Sequence, residues 1–180
     1  MSRKRKDRAR LAALDALYAQ LPRVQCRGLC ATACTRIPLT ELEAARLRAA
    51  SPTRQAPQTT PEGRCIYLNA RDRCTQYNER PLICRAYGVV NAMSCPHGCE
   101  PDRWMDDLEF LRIAQAIESL GGRLLWTDHD GLAHDPHASF LQLGPTRDPA
   151  AIARDSEATR AARALHGGRI IAVVHHEDTP

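Results

Sequence analysis

The sequence predicts a small α+β fold: a cysteine-rich, metal-centred helical and knuckle domain carrying a C-terminal α+β extension. Three observations lead there. All eight cysteines fall between Cys26 and Cys99, and none in the C-terminal half. Apolar residues recur at helical spacing in separate stretches on both sides of that region, each closed by Pro or Gly. Short β-type runs, RLLWT and IIAVVH, lie in the C-terminal half. The chain accordingly divides into a basic N-terminal segment and helix (1–22), a cysteine-cluster domain (23–100) and a helix with a small α+β extension (101–180).

Composition narrows what can hold such a fold together. Aromatics make up 4% of the 180 residues, with two Phe and two Trp, so the core rests on Leu, Ile, Val and Ala. A core of that kind gains from metal cross-links, and the cysteine region is the place for them. The net charge of +4 is modest and concentrated in Arg3, Lys4, Arg5, Lys6, Arg8 and Arg10. Such a run can touch nucleic acid or an acidic membrane surface. No aromatics are interleaved for base stacking, and the run reads as a solvated, partly disordered terminus. No stretch approaches the ~20 apolar residues of a membrane helix. After its charged start the N-terminus has only LAALDALYAQL, interrupted by Asp15, which is not a signal peptide. A cytoplasmic location follows as the expectation. There thiols stay reduced, and clustered cysteines read as metal ligands before disulfides.

Each element can be justified in order. Asp7 to Leu21 is expected to be helical, with Leu11, Leu14, Leu17, Tyr18 and Leu21 on one stripe and Pro22 as the stop. Cys26, Cys30 and Cys34 follow at four-residue steps. On a helix each step turns only about 40° past a full turn, so the thiols would share a face. Gly28 leaves a loop equally open. Thr40 and Glu43 form a capping box for the helix LEAARLRAA, which assigns Glu41 and Glu43 to capping and solvation rather than ligation. SPTRQAPQTTPEG is a loop. Cys65 to Leu68 and Cys74 to Tyr77 read as two arms of a hairpin turning at Asn69 to Arg73. That would set Cys65 beside Cys74, with turn amides donating to the sulfurs. Pro81 opens a helix holding Cys84, and Gly88 ends it. Cys95-Pro-His-Gly-Cys99 is a tight loop, with His97 a secondary ligand candidate.

Beyond it, Pro101-Asp102 is expected to cap a helix over Arg103 to Leu120, with Trp104, Leu108, Leu111 and Ile117 on its apolar side. RLLWT is a strand and DHDG its turn. His129, His134 and His137 accompany Asp128, Asp130 and Asp135, but their spacing fits no metal template. A helix over about Pro149 to Leu165 and a strand IIAVVH, expected to lie beside RLLWT, complete the chain. No phosphate loop, nucleophile elbow or H-E-x-x-H is present.

Three segments carry a family resemblance: CTRIPLTELEAARL, CIYLNARDRCTQYNERPLICRAYG and SCPHGC. Together they resemble the YkgJ-type cysteine-cluster proteins, the CxxCxxCC family of zinc- or iron-chelating domains. The likeness covers about residues 24 to 99. It implies metal chelation through Cys26, Cys30, Cys34, Cys65, Cys74, Cys84, Cys95 and Cys99. The family's first cysteines stand as C-x2-C-x2-C-C. Here the group is C-x3-C-x3-C, and Ala33 precedes Cys34 where the pair's first member would stand. A related cluster accompanies flagellin lysine methylase, which points toward iron–sulfur or methyl-transfer chemistry.

Eight thiolates can fill two tetrahedral zinc sites, two iron–sulfur clusters, or one cluster with bridging thiolates. Spacing does not choose between zinc and iron, since both accept tetrahedral sulfur. Arg80 and Arg85 stand where cations would offset thiolate charge. The readings that follow are a metal-binding protein whose cluster stabilises the fold, an iron–sulfur redox or methyl-transfer enzyme, and a zinc-dependent nucleic-acid module using the basic N-terminus.

Overall fold

A computed structural model describes residues 3–134 and 140. The chain separates into two units, Met1–Pro145 and Thr146–Pro180. The expected helix over 149–165, the strand IIAVVH and the side chains of Asp135 and His137 lie outside the described residues.

Helix α1 runs Arg3–Tyr18. It starts four residues earlier than its apolar stripe suggests, so the basic run is helical rather than a loose terminus. One reason is visible. The Arg10 guanidinium donates to the carbonyl of Leu120 at 2.8 and 3.2 Å, placing a cation on the end of a later helix. Leu14, Tyr18 and Leu21 are buried, and Leu11 and Leu17 pack against the same core.

Strand β1, Pro38–Thr40, leads directly into α2, Glu41–Ala50. The capping box forms as expected: Thr40 accepts from the amide of Glu43, and the Glu43 carboxylate accepts from the amide of Thr40 at 2.7 Å. Such a box contributes about 1 kcal/mol. Glu43 is not solvated, however, but 1% exposed. Its carboxylate also accepts from the Tyr18 hydroxyl and the Leu82 amide, both at 2.7 Å. A buried carboxylate with four donors thus ties α1, α2 and the helix α3, Leu82–Ala86. Burial and the Glu43 charge push the Tyr18 hydroxyl far up, so it remains a donor.

Helix α4 spans Asp107–Gly121, capped by Asp106 rather than by Asp102. The Asp102 carboxylate is engaged elsewhere, accepting from the amides of Arg23 and Arg103. Its buried face differs from the expected one. Phe110, Ile113, Ala114 and Ile117 face the core, while Leu108 is 67% exposed and Trp104 precedes the helix, 41% exposed. Gly121 abuts β1 so closely that a Cβ there would overlap Thr40.

Strand β2, Leu124–Asp128, pairs antiparallel with β1 on one side and with β3, Gly131–His134, on the other. Both of its edges are therefore taken, by β1 and by β3, the strand that follows the expected turn at DHDG. Met105, Phe110, Ile117, Leu124 and Phe140 share one core with Leu14, Leu42, Leu82 and Val89. Each such large side chain contributes roughly 1.5–3 kcal/mol by leaving water. A second cluster, Leu39, Ala44, Leu47 and Tyr67, has Cys65 and Cys74 packed against it. Among the described residues no helix is long and apolar enough to cross a membrane.

Candidate metal centre

The cysteines are delivered by loops and one short helix. Cys26, Cys30 and Cys34 lie on a loop broken only by a 3-10 turn, Ala31–Ala33, so of the two forms left open the loop is adopted. Gly28 makes it possible: its φ is +67°, and a Cβ there would overlap the Arg73 side chain. The Gly28 amide donates to the Cys26 sulfur at 3.2 Å. Cys65 lies in an isolated antiparallel bridge with Thr59, and Cys74 in one with Leu68. The expected hairpin is thus reduced to a single bridge, and its register opposes Leu68, not Cys65, to Cys74. The turn between them is as expected: Asn69 Oδ1 accepts from the amides of Arg71 and Arg73, and Asp72 takes a positive φ of 56°. These local bonds satisfy the backbone without a ladder, which is why no strand propagates.

Long-range bonds then gather the segments. The Cys65 amide donates to the Cys34 carbonyl at 2.9 Å, joining cysteines far apart in sequence. Cys84 sits on α3, whose first amide is held by Glu43. Gly88, at φ +87°, turns the chain out of α3, and its amide donates to the Met93 carbonyl at 2.7 Å. Cys95 and Cys99 occupy a turn closed from the Gly98 amide to the Cys95 carbonyl at 3.2 Å. The guanidinium of Arg27 donates to the His97 carbonyl, and that of Arg73 to the Arg27 carbonyl. This pair of arginines laces the loop of Cys26 to those of Cys74 and Cys99.

Mutual electrostatics group the eight thiols around two centres that meet at Cys34, which acts on Cys30 and is acted on by Cys26. Cys34 is pushed up to about 11 by burial, then by Cys65 and Cys74, with Arg80 acting the other way and Cys26 adding to the rise. Cys84 is pushed well above the ordinary thiol value by burial, then by Cys65, Cys34 and Cys74, again opposed by Arg80. Cys65 is raised by burial and by Cys74. Every pairing among Cys34, Cys65, Cys74 and Cys84 is therefore felt. Cys30 is raised to about 11 by burial, then by Cys26, Cys34 and Cys95. Cys99 bonds with Cys95 and is held below the ordinary value, first by donors from Arg27. Cys26, Cys30, Cys95 and Cys99 thus form a second, looser set. All eight cysteines are free.

At three of the cysteines the sulfur accepts from the backbone amide two residues on: Gly28 to Cys26, Tyr67 to Cys65 and Gln76 to Cys74. That repeated arrangement is the turn-amide donation expected of metal knuckles. Cys65, Cys74 and Cys84 border a cavity of about 30 Å³, together with Arg80, Leu47 and Tyr67. It has room for an ion or a water, not for an organic ligand. Among the described residues no three Cys, His, Asp or Glu side chains stand in geometry that would hold a metal ion. The donor chemistry fits nonetheless: free thiols on neighbouring segments, amides aimed at three of the sulfurs and a guanidinium beside them.

The other candidates are placed differently. His97 is exposed and engaged through its carbonyl. His129 lies between Asp128 and Asp130, at 2.8 and 3.1 Å, on the exposed β2–β3 turn. Arg80 stands near three thiols as expected, while Arg85 lies 4.2 Å from the Tyr18 ring centroid. Glu79 pairs with Arg46 rather than with either of them. Sequence reasoning missed the structural weight of Glu43 and the tie between Arg27 and Arg73. Only the capping box hinted at the former.

Residues 25–106 match the CxxCxxCC family, described as a "Putative zinc- or iron-chelating domain". The match takes in all eight cysteines and the resemblance read from their surroundings. Metal binding through zinc or iron is the activity attached to that domain. No curated protein and no solved structure matches the chain.

Proposed function

We propose that the chain is a cytoplasmic zinc- or iron-binding protein in which Cys34, Cys65, Cys74 and Cys84 hold one ion and Cys26, Cys30, Cys95 and Cys99 a second. One observation carries this reading: all four thiols of the first set act on one another although they come from three separate segments. Gathering groups that repel once ionised costs free energy in the empty chain. A divalent cation reverses that balance by favouring the thiolates. When bound, the ion supplies a four-thiolate cross-link, and its binding energy becomes folding energy. Arg80 offsets part of the anionic charge of the first set, and the amides of Tyr67 and Gln76 orient two of its sulfurs. The reducing cytoplasm suits eight unpaired thiols.

Anaerobic purification followed by elemental analysis tests the reading. Two zinc or iron ions per chain without acid-labile sulfide are expected. Iron with stoichiometric sulfide and a brown colour would move the protein to the iron–sulfur reading. A folded chain without metal, unable to take zinc or ferrous iron on titration, would overturn both.

A further inference from the structure

A second cavity, of about 580 Å³, lies between the end of α1, the turn after it and the segment leading into α3. This is within the size range of small-molecule sites. Four guanidinium groups line it, from Arg23, Arg46, Arg80 and Arg85, and Asp15 brings a carboxylate. Arg46 is satisfied, since it pairs with both Asp15 and Glu79. Arg80 and Arg85 are not matched in the same way. Arg80 donates to the carbonyls of Tyr77 at 2.9 Å and Cys84 at 3.3 Å. Arg85 donates to the carbonyls of Arg80 at 2.6 Å and Asn78. Among the described residues neither has a carboxylate within ion-pair distance.

Carbonyls fix the orientation of these two groups but leave their charge uncancelled. Both are further held by rings: Arg80 lies 3.6 Å from the Tyr77 centroid, and Arg85 lies 4.2 Å from that of Tyr18. The result is a set of rigid, pre-oriented donor forks in a concave wall, the arrangement suited to bidentate recognition of oxyanions. The charge of Arg80 also reaches the first thiol set, which accounts for one cation there. Arg85 faces Tyr18, Arg46 and Glu79 instead, and the thiols do not account for it.

We propose that this cavity binds a multiply charged oxyanion of metabolite size, a phosphate or a dicarboxylate, with Arg85, Arg80 and Arg23 as its charge partners. The cavity shares Arg80 with the first thiol set, whereas no thiol acts on Arg85, so Arg85 is the residue at which occupancy and metal content can be read apart.

Calorimetric titration of the full chain, with whatever metal it carries, uses inorganic phosphate in one arm and succinate in the other. Neither probe strips zinc or iron readily. Saturable binding of at least one probe is expected, weakening as salt rises, and the tighter arm names the ligand class. Arg85→Gln should lower that affinity at least tenfold with metal content unchanged. If Arg85→Gln does not fold, Arg23→Gln carries the comparison, with a fall of at least threefold expected. No heat from either probe at millimolar concentration, or undiminished affinity in a folded Arg85→Gln or, failing that, in Arg23→Gln, overturns the proposal.

Discussion

The two thiol sets are built on different principles. The first is anchored in regular structure: Cys84 rides on α3, and Cys65 and Cys74 pack against the Leu39–Tyr67 cluster. The second is held by loops alone, closed by a turn at Gly98 and by Arg27 and Arg73. Electrostatics follow the division only in part. Burial raises every thiol of the first set, whereas the second is mixed: Cys30 is raised to about 11, and Arg27 holds Cys99 down although the residue is only 8% exposed. The difference teaches that the cysteines of one family match can be held in place to unequal degrees. The anchored site is stable in place but must release protons to accept a metal. The loop set has one thiol, Cys99, held below the ordinary value, and is held by fewer elements.

Replacing one ligand in each set should break the comparison most sharply. Cys84→Ser is expected to lose the metal of the first set and, with it, several kcal/mol of stability, since a structural zinc site supplies on the order of 10 kcal/mol. Cys99→Ser should lose one metal equivalent with a much smaller fall in the thermal midpoint. Metal analysis with paired melts reads both, and equal destabilisation would abolish the distinction. Next in size is Glu43→Ala. It leaves the Tyr18 hydroxyl and the amides of Thr40 and Leu82 without their acceptor in the core, at a cost of roughly 3–5 kcal/mol. Urea unfolding should show that loss, with the first set giving up its metal to a chelator before the second.

The pH response sharpens the contrast further. A raised folded-state value means stability that is full below the ordinary thiol value of 9.0 and lost as pH rises through the folded value, about 11 for Cys34. The metal-free chain should therefore melt lower at pH 10.5 than at pH 8. The loaded chain should instead weaken as pH falls, because protons compete for the thiolates. Melts with and without chelator at the two ends of the range decide it; parallel curves would mean that no thiolate–metal linkage exists. The smallest effect is expected from Gly28→Ala, which forces an L-residue to φ +67° and crowds Arg73, at about 1–2 kcal/mol. It should loosen the metal of the second set and leave the first intact.

Local chemistry was legible in the residues. The capping box at Thr40 and Glu43, the helix opened by Pro81, the turn at Asn69 and the β2–β3 hairpin all follow from short-range preferences, and all are present. The errors arose where a distant partner competed. The start of α4 moved because the Asp102 carboxylate was taken by Arg23, 79 positions away. The hairpin shrank because Cys65 bridges Thr59 and its amide turns to Cys34. Glu43 read as a surface cap because nothing in its neighbours announces Tyr18 and Leu82.

By itself the sequence determined the chemistry: eight thiols confined to one stretch, in surroundings that match a zinc- or iron-chelating domain. Which sulfurs keep company was decided only by the tertiary structure. Partition into two sets depends on backbone bonds such as Cys65 to Cys34 and on a buried carboxylate that sets the height of α3. Those contacts join positions far apart along the chain, and the free energy that selects them comes from burial shared across the whole unit, which no local spacing encodes.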